Sequence, residues 1–322
     1  MTIRQLQYMI AIAECGSINK AAQTLLVAQP SLSGAVRELE DELGIRIFHR
    51  SGKGVTLTGD GAEFLAGARQ VCSQYEQLEE KYLGGDNVKK RFGVTAQHYS
   101  FAVRAFVDTV RAYGTSEYEL AIRETKTREV IDDVATLRSE IGILYFNDFN
   151  RQVLGKILRA NDLEFHSLIV CRPYVYLHKA HPLAARAMIS ASDLSDYPCL
   201  SFEQGDSDSF YYSEAIFPTS EYPRYIKVCD RATVLNLMVG LSGYILCPRI
   251  ICEELSGPDY VAVPFAEGEA NAMEIGYITR KSSVLSEIGS RYVSGLRRYL
   301  REVALPSEER VADDEKSYRK NQ

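Results

Sequence analysis

The stretch GSINKAAQTLLVAQPSLSGAVRELEDELG, residues 16–44, decides the fold of the N-terminal part of this chain. Apolar and small residues recur three and four positions apart in two runs, 18–26 and 30–43, and this spacing predicts two helices. Ser17 can cap the first helix, a proline suits the start of the second, and Gly44 can end it. Two helices joined by such a tight turn are typical of a helix-turn-helix.

The flanking residues predict the rest of a winged helix-turn-helix. Residues 3–15 carry apolar side chains along one helical face, which predicts a helix before the other two. Further along, residues 45–49 and 55–57 are expected to form two strands, which a basic, glycine-containing loop at 50–54 connects. Residues 1–58 are therefore expected to fold as three helices followed by a two-stranded wing.

The start of the third helix presents small and polar residues on its outward face. Small side chains there let a helix enter the major groove of DNA, where polar and basic groups can meet phosphates or base edges. A wing with basic residues at its tip suits a neighbouring phosphate or the minor groove. The candidate DNA contacts at these positions are Ser17, Gln29, Pro30, Ser31, Ser33, Gly34, Arg37, Arg50 and Lys53.

Net charge permits binding to DNA without requiring it. The whole chain carries a net charge of −6, whereas residues 1–58 contain six basic and five acidic side chains, a net charge of +1. Whole-chain charge says little about one face of one domain, so the argument depends on the pattern of residues. The alternative is a three-helix bundle that does not bind DNA.

A long helix is expected to connect the N-terminal domain to the rest of the chain. Thr58 can cap it, and apolar residues follow three- and four-residue steps through it as far as about Leu83. Gly59 and Gly61 are expected to loosen its start. The helix either packs on its own domain or pairs with a second copy, and we favour pairing because it has no other core to cover. Residues 59–90 are therefore interpreted as a linker and dimerisation helix.

The remainder of the chain alternates predicted strands with predicted helices. Strands are expected, for example, at 92–96, 118–124 and 141–146. This alternation is the pattern of an α/β domain, which we assign to residues 91–301. Residues 302–322 are highly charged and are expected to form a disordered tail.

The N-terminal motifs resemble those of LysR-type transcriptional regulators in order and spacing, without a gap. The matching stretches are Gly16-Ser17-Ile18, Ala21-Ala22, Gln29-Pro30-Ser31-Leu32-Ser33, Leu39-Glu40-Asp41-Glu42-Leu43-Gly44, Ile47-Phe48-His49-Arg50 and Leu57-Thr58. The resemblance implies that double-stranded DNA with an inverted-repeat operator and a small-molecule effector are partners. It also implies a homodimer through the linker helix that assembles into a homotetramer, with no membrane partner.

The resemblance further implies that the α/β domain is similar to a type 2 periplasmic binding protein with two lobes. The first lobe is expected at about 92–161 and 267–300, and the second at about 162–266. The chain is expected to cross between them near 162–165 and 265–269. In such a fold, a ligand lies between the lobes, at the carboxyl ends of strands and beside helix N-termini.

The stretch TAQHYS, residues 95–100, is a polar turn between a predicted strand and a predicted helix, where free N–H groups can hold an anion or a carboxylate. With polar residues at other strand ends, the candidate effector site consists of Gln97, His98, Tyr99, Ser100, Tyr145, Asn147, Ser201, Glu203 and Asp230. By the resemblance, the positions that contact effectors are Gln97, Tyr99, Ser100, Tyr145 and Ser201. Ordinary capping or turn chemistry is the alternative for each residue. The acidic run of Glu203, Asp206 and Asp208 favours a cationic or amine-bearing ligand, unless it is simply a solvated loop.

Other protein classes fit the sequence less well. An enzyme is not expected, because the chain contains no G-x-S-x-G, no glycine-rich phosphate loop and no H-E-x-x-H. Seven cysteines without a C-x-x-C pair disfavour a structural zinc site, and neither a metal nor a cofactor is expected. A redox-sensing DNA-binding regulator that uses Cys199 is the alternative, although Asp196 and Glu203 rather than positive charges lie near it. Without a signal-peptide-like or membrane-spanning stretch, the protein is expected to be cytoplasmic rather than a secreted solute-binding module.

Overall fold

The computed structural model describes residues 1–52, 54–83, 90–113, 117–205, 210–214, 216, 222–250, 257–281, 283–303 and 310–311. Lys53, Asp206, Asp208 and most of the predicted tail lie outside the described residues. The chain divides into two compact units, Met1–Lys89 and Lys90–Gln322. Each unit has its own buried apolar core.

The N-terminal unit has the predicted winged helix-turn-helix. Its described elements are α1 (Ile3–Cys15), α2 (Ile18–Thr24), α3 (Gln29–Leu43), β1 (Phe48–Ser51), β2 (Gly54–Leu57) and α4 (Gly59–Leu83). Gly16 and Gly44 adopt φ angles of 60° and 69°, which let the chain turn sharply after α1 and α3. Met9, Ile12 and Leu32 are fully buried where the helices meet. The predicted fold is therefore confirmed, although the first wing strand begins at residue 48 and not at residue 45.

The start of α4 packs tightly against the wing. A Cβ on Gly61 would lie 2.0 Å from the carbonyl oxygen of Ile47, so only glycine fits at this position. The Thr58 hydroxyl accepts a hydrogen bond from the Gly61 N–H at 2.8 Å, and the Thr58 N–H donates to the Ile47 carbonyl at 3.1 Å. Gly59 has open space around its missing Cβ. The expected loosening is therefore wrong for Gly61, because the close approach of two backbone segments requires a glycine there.

The second unit alternates strands and helices, as predicted. Its first elements are β3 (Lys90–Ala96), α5 (Ser100–Tyr113), β4 (Tyr118–Glu124), α6 (Thr127–Ala135), β5 (Ile141–Phe146), α7 (Arg151–Ala160) and β6 (Leu163–Cys171). The next are β7 (Pro173–His178), β8 (Cys199–Phe202), β9 (Tyr225–Val228), α8 (Arg231–Leu241), β10 (Ile245–Pro248) and β11 (Tyr260–Pro264). The last are β12 (Met273–Arg280), α9 (Glu287–Val303) and β13 (Arg310–Val311). Short 3-10 helices lie at Ser192–Leu194, Phe210–Tyr212 and Ala266–Asn271.

The strands of this unit form the two lobes that the sequence predicts. In the first lobe, the described strands form one sheet in the order β13-β6-β12-β5-β3-β4. Strand β3 runs parallel to β4 and β5, whereas β12 runs antiparallel to β5 and β6. The second lobe contains the antiparallel sheet β10-β7-β11 and the parallel pair β8-β9. Buried side chains of both lobes belong to one apolar cluster, so the lobes share a core.

Strand β6 belongs to the first lobe, whereas the sequence predicts residues 162–266, and β6 with them, in the second lobe. It pairs with β12 along its length, starting with Leu163 opposite Arg280. The chain therefore crosses between the lobes at Arg172, immediately before β7, and the predicted crossing near 162–165 is wrong. The apolar run of β6 predicts a strand, but the partner that fixes its sheet lies far away along the chain.

Two further elements differ from the sequence-based expectations. Helix α7 is absent from the prediction, although Leu154 and Leu158 lie one turn apart and are both buried. In the predicted disordered tail, α9 continues to Val303, and β13 pairs with β6. The backbone of the edge strand β6 supplies the hydrogen-bond partners of this short strand at residues 310–311. No helix within the described ranges is long and apolar enough to cross a membrane.

Candidate functional site

The start of α3 carries the predicted small and polar residues at its surface. Of the predicted DNA contacts in this helix, the exposed ones are Gln29, Pro30, Ser31 and Arg37, and the half-buried ones are Ser33 and Gly34. The Gln29 amide Nε2 donates to the Ser33 hydroxyl at 2.7 Å, so these two side chains share one face of the helix. A Cβ on Gly34 would meet nothing within 4 Å, which leaves this helix surface open to a close partner.

A buried carboxylate fixes α3 to the wing. Glu40 is 4% exposed, and its carboxylate accepts hydrogen bonds from the backbone N–H groups of Ile47 and Phe48 at 2.8 and 3.1 Å. Arg46 Nη1 donates to the same carboxylate at 2.8 Å. Burial by itself raises the pKa of Glu40, but these hydrogen bonds outweigh burial and lower it below its usual value. Sequence reasoning missed Glu40, because a glutamate within an acidic run suggests an exposed helix face.

The wing is anchored beside the start of α2. The Val55 N–H donates to the Gly16 carbonyl at 2.9 Å, and Ser17 caps α2 through its side-chain hydroxyl. Arg50 is exposed and lies opposite Val55 in the wing. The structure therefore brings Ser17 and Arg50 into one region of the unit, whereas the prediction for Lys53 lies outside the described residues.

Helix α4 has two apolar faces. The side chains that are buried against the N-terminal core are Leu65, Ala68 and Cys72. Val71, Tyr75 and Leu78 are 44%, 40% and 58% exposed and follow steps of four and three residues. We call these three residues the α4 stripe. The helix therefore packs on its own unit and also leaves an apolar face for a partner.

Gln97 links the ends of several elements in the first lobe. It is 1% exposed, and its amide Nε2 donates to the Thr127 hydroxyl at 2.6 Å. Its Oε1 accepts hydrogen bonds from the Tyr145 backbone N–H at 3.1 Å and from the Tyr99 hydroxyl at 3.2 Å. Because its amide is engaged within the protein, Gln97 holds the end of β3 against β5 and α6.

His98 connects the two lobes. Its ring stacks on Phe202 with the ring centroids 3.6 Å apart, and its Nδ1 lies 2.9 Å from Glu214 Oε1. The His98 backbone N–H donates to Glu214 Oε2 at 3.2 Å, and Gln204 Nε2 donates to Glu214 Oε1 at 3.2 Å. Because an ionised carboxylate only accepts hydrogen bonds, we assign the proton of this contact to His98 Nδ1. The His98 and Glu214 side chains are 6% and 9% exposed, so this contact is buried between the lobes.

Residues 210–214 of the second lobe rest on the first lobe. The Thr127 hydroxyl donates to the Tyr212 carbonyl at 2.7 Å, and the Tyr145 hydroxyl donates to the Ser213 carbonyl at 3.0 Å. Burial is the larger cause, and the negative charge of Glu214 the smaller one, that raises the pKa of Tyr145 well above its usual value. Tyr145 therefore remains a hydrogen-bond donor, and its hydroxyl is used by the protein itself.

Several other predicted effector contacts have structural partners. Asn147 closes a turn through reciprocal side-chain-to-backbone hydrogen bonds of 2.8 and 2.9 Å, and Asp230 caps α8. Glu203 accepts a hydrogen bond from the Cys229 thiol at 3.2 Å. The bonds of Asn147 and Asp230 are the capping and turn roles that the sequence leaves open as alternatives. The hydroxyl of Ser201, in contrast, is buried and has no hydrogen-bond partner among the described residues.

A small cavity lies between the lobes beside His98 and encloses about 70 Å³. Its lining includes Tyr99 and Ser100 from the first lobe, and Phe202, Arg231, Val234 and Ile245 from the second. Arg231 forms an ion pair with Glu124 of the first lobe, but its buried Nε has no hydrogen-bond partner within the described ranges. The cavity is therefore mostly apolar, with one cationic side chain in its wall.

The residues of this cleft that sequence reasoning missed are Thr127, Gln204, Glu214 and Arg231. Arg231 directly follows a predicted contact at the end of a strand, and its position at the start of a helix was the available signal. Gln204 and Glu214 lie in a polar stretch after β8, where the sequence does not distinguish residues that meet the other lobe from residues that face solvent.

The cysteine of the redox alternative is inaccessible. Cys199 is 2% exposed, and burial raises the pKa of its thiol to about 12. Cys229 is exposed, but its hydrogen bond to Glu203 raises the pKa of its thiol as well. Because redox-sensing thiols are accessible and have lowered pKa values, the geometry does not favour the redox alternative at Cys199. The described residues contain no cluster of His, Cys, Asp or Glu suited to a metal ion.

Comparison with protein families identifies the class of protein that this fold and this site define. The family described as bacterial regulatory helix-turn-helix protein, lysR family, matches residues 3–62. The LysR substrate binding domain matches residues 116–304, which is more than half of the chain. The chain belongs to the LysR family, and the resemblance drawn from its N-terminal motifs is confirmed.

Individual relatives are distant. The uncharacterized regulator YnfL of Escherichia coli is 28% identical over 207 residues, which span 62% of this chain and 65% of YnfL. Full-length OxyR from Pseudomonas aeruginosa is 23% identical with a TM-score of 0.64, and the match covers 94% of this chain and 95% of OxyR. Full-length CbnR in complex with its target DNA is 22% identical with a TM-score of 0.54, and the match covers 93% and 100%. At this level of identity, the two structures support the fold alone.

Proposed function

We propose that this protein is a transcriptional regulator that binds double-stranded DNA through α3 and the wing. The observation that carries the proposal is the small and polar start of α3, which the buried Glu40 carboxylate holds against the wing. A helix of this kind suits the major groove, and the exposed Arg37 and Arg50 supply charge for the phosphate backbone. CbnR, which has a similar fold, was solved with its target DNA.

The α4 stripe supports a homodimer. Three exposed apolar side chains on a helix that connects two domains are stabilised when a second copy covers them. In such a dimer, each of the two copies of α3 contacts one half of an inverted-repeat operator, because operator symmetry mirrors protein symmetry. We extend the proposal to residues 59–90 as the dimerising linker and to a homotetramer in which the effector domains also pair.

The C-terminal unit binds a small-molecule effector between its lobes, at the residues around His98 and the neighbouring cavity. The effector domains pack in two alternative arrangements. The effector shifts the equilibrium between these arrangements because it binds one of them more tightly than the other. The protein acts in the cytoplasm as a regulator and not as an enzyme, and it needs no cofactor for this role. Its relatives in the family are described as transcriptional regulators.

The DNA-binding part of the proposal is tested by selection from random-sequence duplexes with the purified protein. We expect enrichment of an inverted repeat. Gly34→Leu should abolish selective binding to the enriched duplex, because a larger side chain at this open position obstructs the groove without disturbing the fold. Arg50→Ala should weaken binding to every duplex and reduce the slope of log affinity against log salt by about 1.

A matched control for Gly34→Leu is Gly155→Leu on α7, where a Cβ would contact only Arg159 Nη1 at 3.6 Å. This variant should bind the enriched duplex with the affinity of the wild type. Selective binding by Gly34→Leu that equals the wild-type affinity would remove the start of α3 from the DNA interface. An Arg50→Ala effect confined to one base position would remove the phosphate contact assigned to the wing.

A further inference from the structure

The carboxylate of Glu214 is bound at the position where the polar turn 95–100 is expected to hold an anion. Three donors converge on it: the His98 backbone N–H, the His98 ring Nδ1 and the Gln204 amide, at 3.2, 2.9 and 3.2 Å. The donors come from both lobes, and the contact is buried. An internal carboxylate therefore occupies a complete set of charge-assisted hydrogen bonds between the lobes.

A second feature beside this position fits the rest of a ligand. The cavity between the lobes is lined by His98 and mostly by apolar and aromatic side chains such as Phe202 and Ile245. Its one cationic residue, Arg231, has a buried Nε without a hydrogen-bond partner among the residues that the structure describes. At about 70 Å³ the cavity is small, because the stacked His98 and Phe202 rings fill the space between the lobes.

We propose that Glu214 occupies the binding position of the effector's carboxylate, and that the effector is a small carboxylic acid with an apolar body, whose carboxylate replaces Glu214 on His98 and Gln204. This inference rests on the proposed function, because it assigns the ligand class of the same cleft. The apolar body of the acid enters the cavity beside His98, where Arg231 supplies positive charge. The exchange of one carboxylate for another keeps the buried donors paired.

The replacement also releases a connection between the lobes. Glu214 ends the segment 210–214, whose carbonyl groups accept hydrogen bonds from Thr127 and Tyr145 of the first lobe. When the carboxylate of a free acid binds the three donors, this segment loses the contact between Glu214 and His98 of the first lobe. The ligand thereby changes how the lobes are held together, and its binding free energy is reduced by the cost of displacing Glu214.

The charges around the cleft distinguish a carboxylate from a cation. Glu203 and Asp230 have donors of their own, in Cys229 and in the first turn of α8. In the acidic run predicted to favour an amine, Glu203 is therefore engaged with Cys229, whereas three hydrogen-bond donors converge on the Glu214 carboxylate. A cationic ligand would pair with Glu214 and lose affinity when that residue is removed, but a carboxylate competes with Glu214 and gains affinity.

Calorimetric titration of the full-length protein separates these possibilities by the sign of the effect. The probes are acetate, propionate and benzoate, with benzamide as the neutral counterpart of benzoate and benzylamine as the cation. We expect Glu214→Ala to bind at least one of the carboxylates about 10- to 1000-fold more tightly than the wild type. The reason is that Glu214 no longer has to leave the donors before the carboxylate of the ligand can bind them. Benzamide should show no such gain.

Three further variants control this experiment. Glu269→Ala removes one negative charge from an exposed residue paired with Arg172, and it should bind the carboxylates as the wild type does. His98→Ala combined with Glu214→Ala should reduce the gain, because it removes the ring Nδ1 donor and leaves the backbone N–H of residue 98 in place. Glu214→Gln preserves the side-chain shape if the alanine variant folds poorly, and it should show a smaller gain in the same direction.

Equal carboxylate affinity in Glu214→Ala and in the wild type would overturn the inference, and so would benzylamine binding that is lost in Glu214→Ala. If another class of compound binds the wild type and changes its affinity for DNA, the ligand class is wrong but the proposed function stands. If no carboxylate, amide or amine binds any variant or alters DNA binding, the effector-responsive part of the proposed function fails together with the inference.

Discussion

Replacement of Gly61 by alanine places a methyl group against backbone atoms and not against a side chain that can move. The new Cβ lies 2.0 Å from the Ile47 carbonyl oxygen and 2.8 and 2.9 Å from two further backbone atoms of Ile47. A non-bonded carbon and oxygen approach to about 3.3 Å, so the start of α4 must move by roughly 1.3 Å. This movement separates α4 from the end of the wing.

The free-energy cost follows from the contacts that the movement disturbs. The hydrogen bonds from the Gly61 N–H to Thr58 and from the Thr58 N–H to Ile47 are 2.8 and 3.1 Å long. Each contributes about 0.5–1.5 kcal/mol, and an overpacked contact costs about 1–3 kcal/mol more. We therefore expect Gly61→Ala to lower the free energy of unfolding of the N-terminal unit by about 2–6 kcal/mol.

Gly59→Ala is the matched control, because a Cβ there meets nothing within 4 Å. It should be neutral or stabilise α4 by up to about 1 kcal/mol, since alanine is the better helix former. The measurement is hydrogen–deuterium exchange of peptides from residues 3–57 in the full-length protein, supported by calorimetric unfolding. Equal protection in the Gly61→Ala variant and the wild type, or equal effects of the two substitutions, would refute the packing argument.

Three other predictions test buried polar groups and the redox alternative. Glu40→Gln should lower the free energy of unfolding of the N-terminal unit by about 2–3 kcal/mol, because hydrogen bonds to a charged group are stronger than those to a neutral one. The stability that Glu40 contributes should be present above its ordinary pKa of 4.5 and should be lost as the pH falls through its lowered pKa in the folded state. Burial lowers the pKa of His181 below its ordinary 6.5, so the unfolded chain binds the proton more readily, and the stability of the C-terminal unit should fall as the pH drops from 6.5. Cys199 should resist peroxide and alkylation in the folded protein at pH 7, because its thiol has a pKa of about 12.

The checks on these predictions are separate. Urea unfolding of Glu40→Gln at pH 7 and pH 4 should give a smaller difference from the wild type at pH 4, and an equal difference would contradict the charge argument. For His181, a His181→Gln variant should show a weaker loss of stability between pH 6.5 and 5, whereas an unchanged slope would assign the loss to other groups. Mass spectrometry after alkylation should find Cys229 modified before Cys199, and the reverse order would restore the redox alternative.

Local spacing explains why the N-terminal fold is predictable. The residues that define α3, from Gln29 to Arg37, lie within a few turns of one another, and the glycines that end α1 and α3 are local signals. The exposed and buried faces of a helix follow directly from its period of 3.6 residues. Strands β4 and β5 coincide with their predicted limits, because the runs of residues that predict them are local signals as well.

The sequence-based account fails where a residue's role depends on a distant partner. The period of α3 does not show that Glu40 accepts the backbone donors of the wing. The sheet of β6 depends on β12, which follows after the whole second lobe. Glu214 contacts His98, which lies more than one hundred residues earlier in the chain. No sequence pattern near Glu214 predicts this contact.

The sequence by itself determined the winged helix-turn-helix, the α/β character of the second unit, and the family, because each depends on periodicity and on local motifs. Only the tertiary structure decided that Gly61 is a packing requirement, that the chain crosses between the lobes at Arg172, and that the carboxylate of Glu214 is bound between the lobes. Close approach of backbones, strand pairing and burial of charge all depend on chain segments that are distant in sequence and adjacent in space. Secondary structure follows from neighbours along the chain, whereas the candidate effector site exists only after the two lobes have folded against each other.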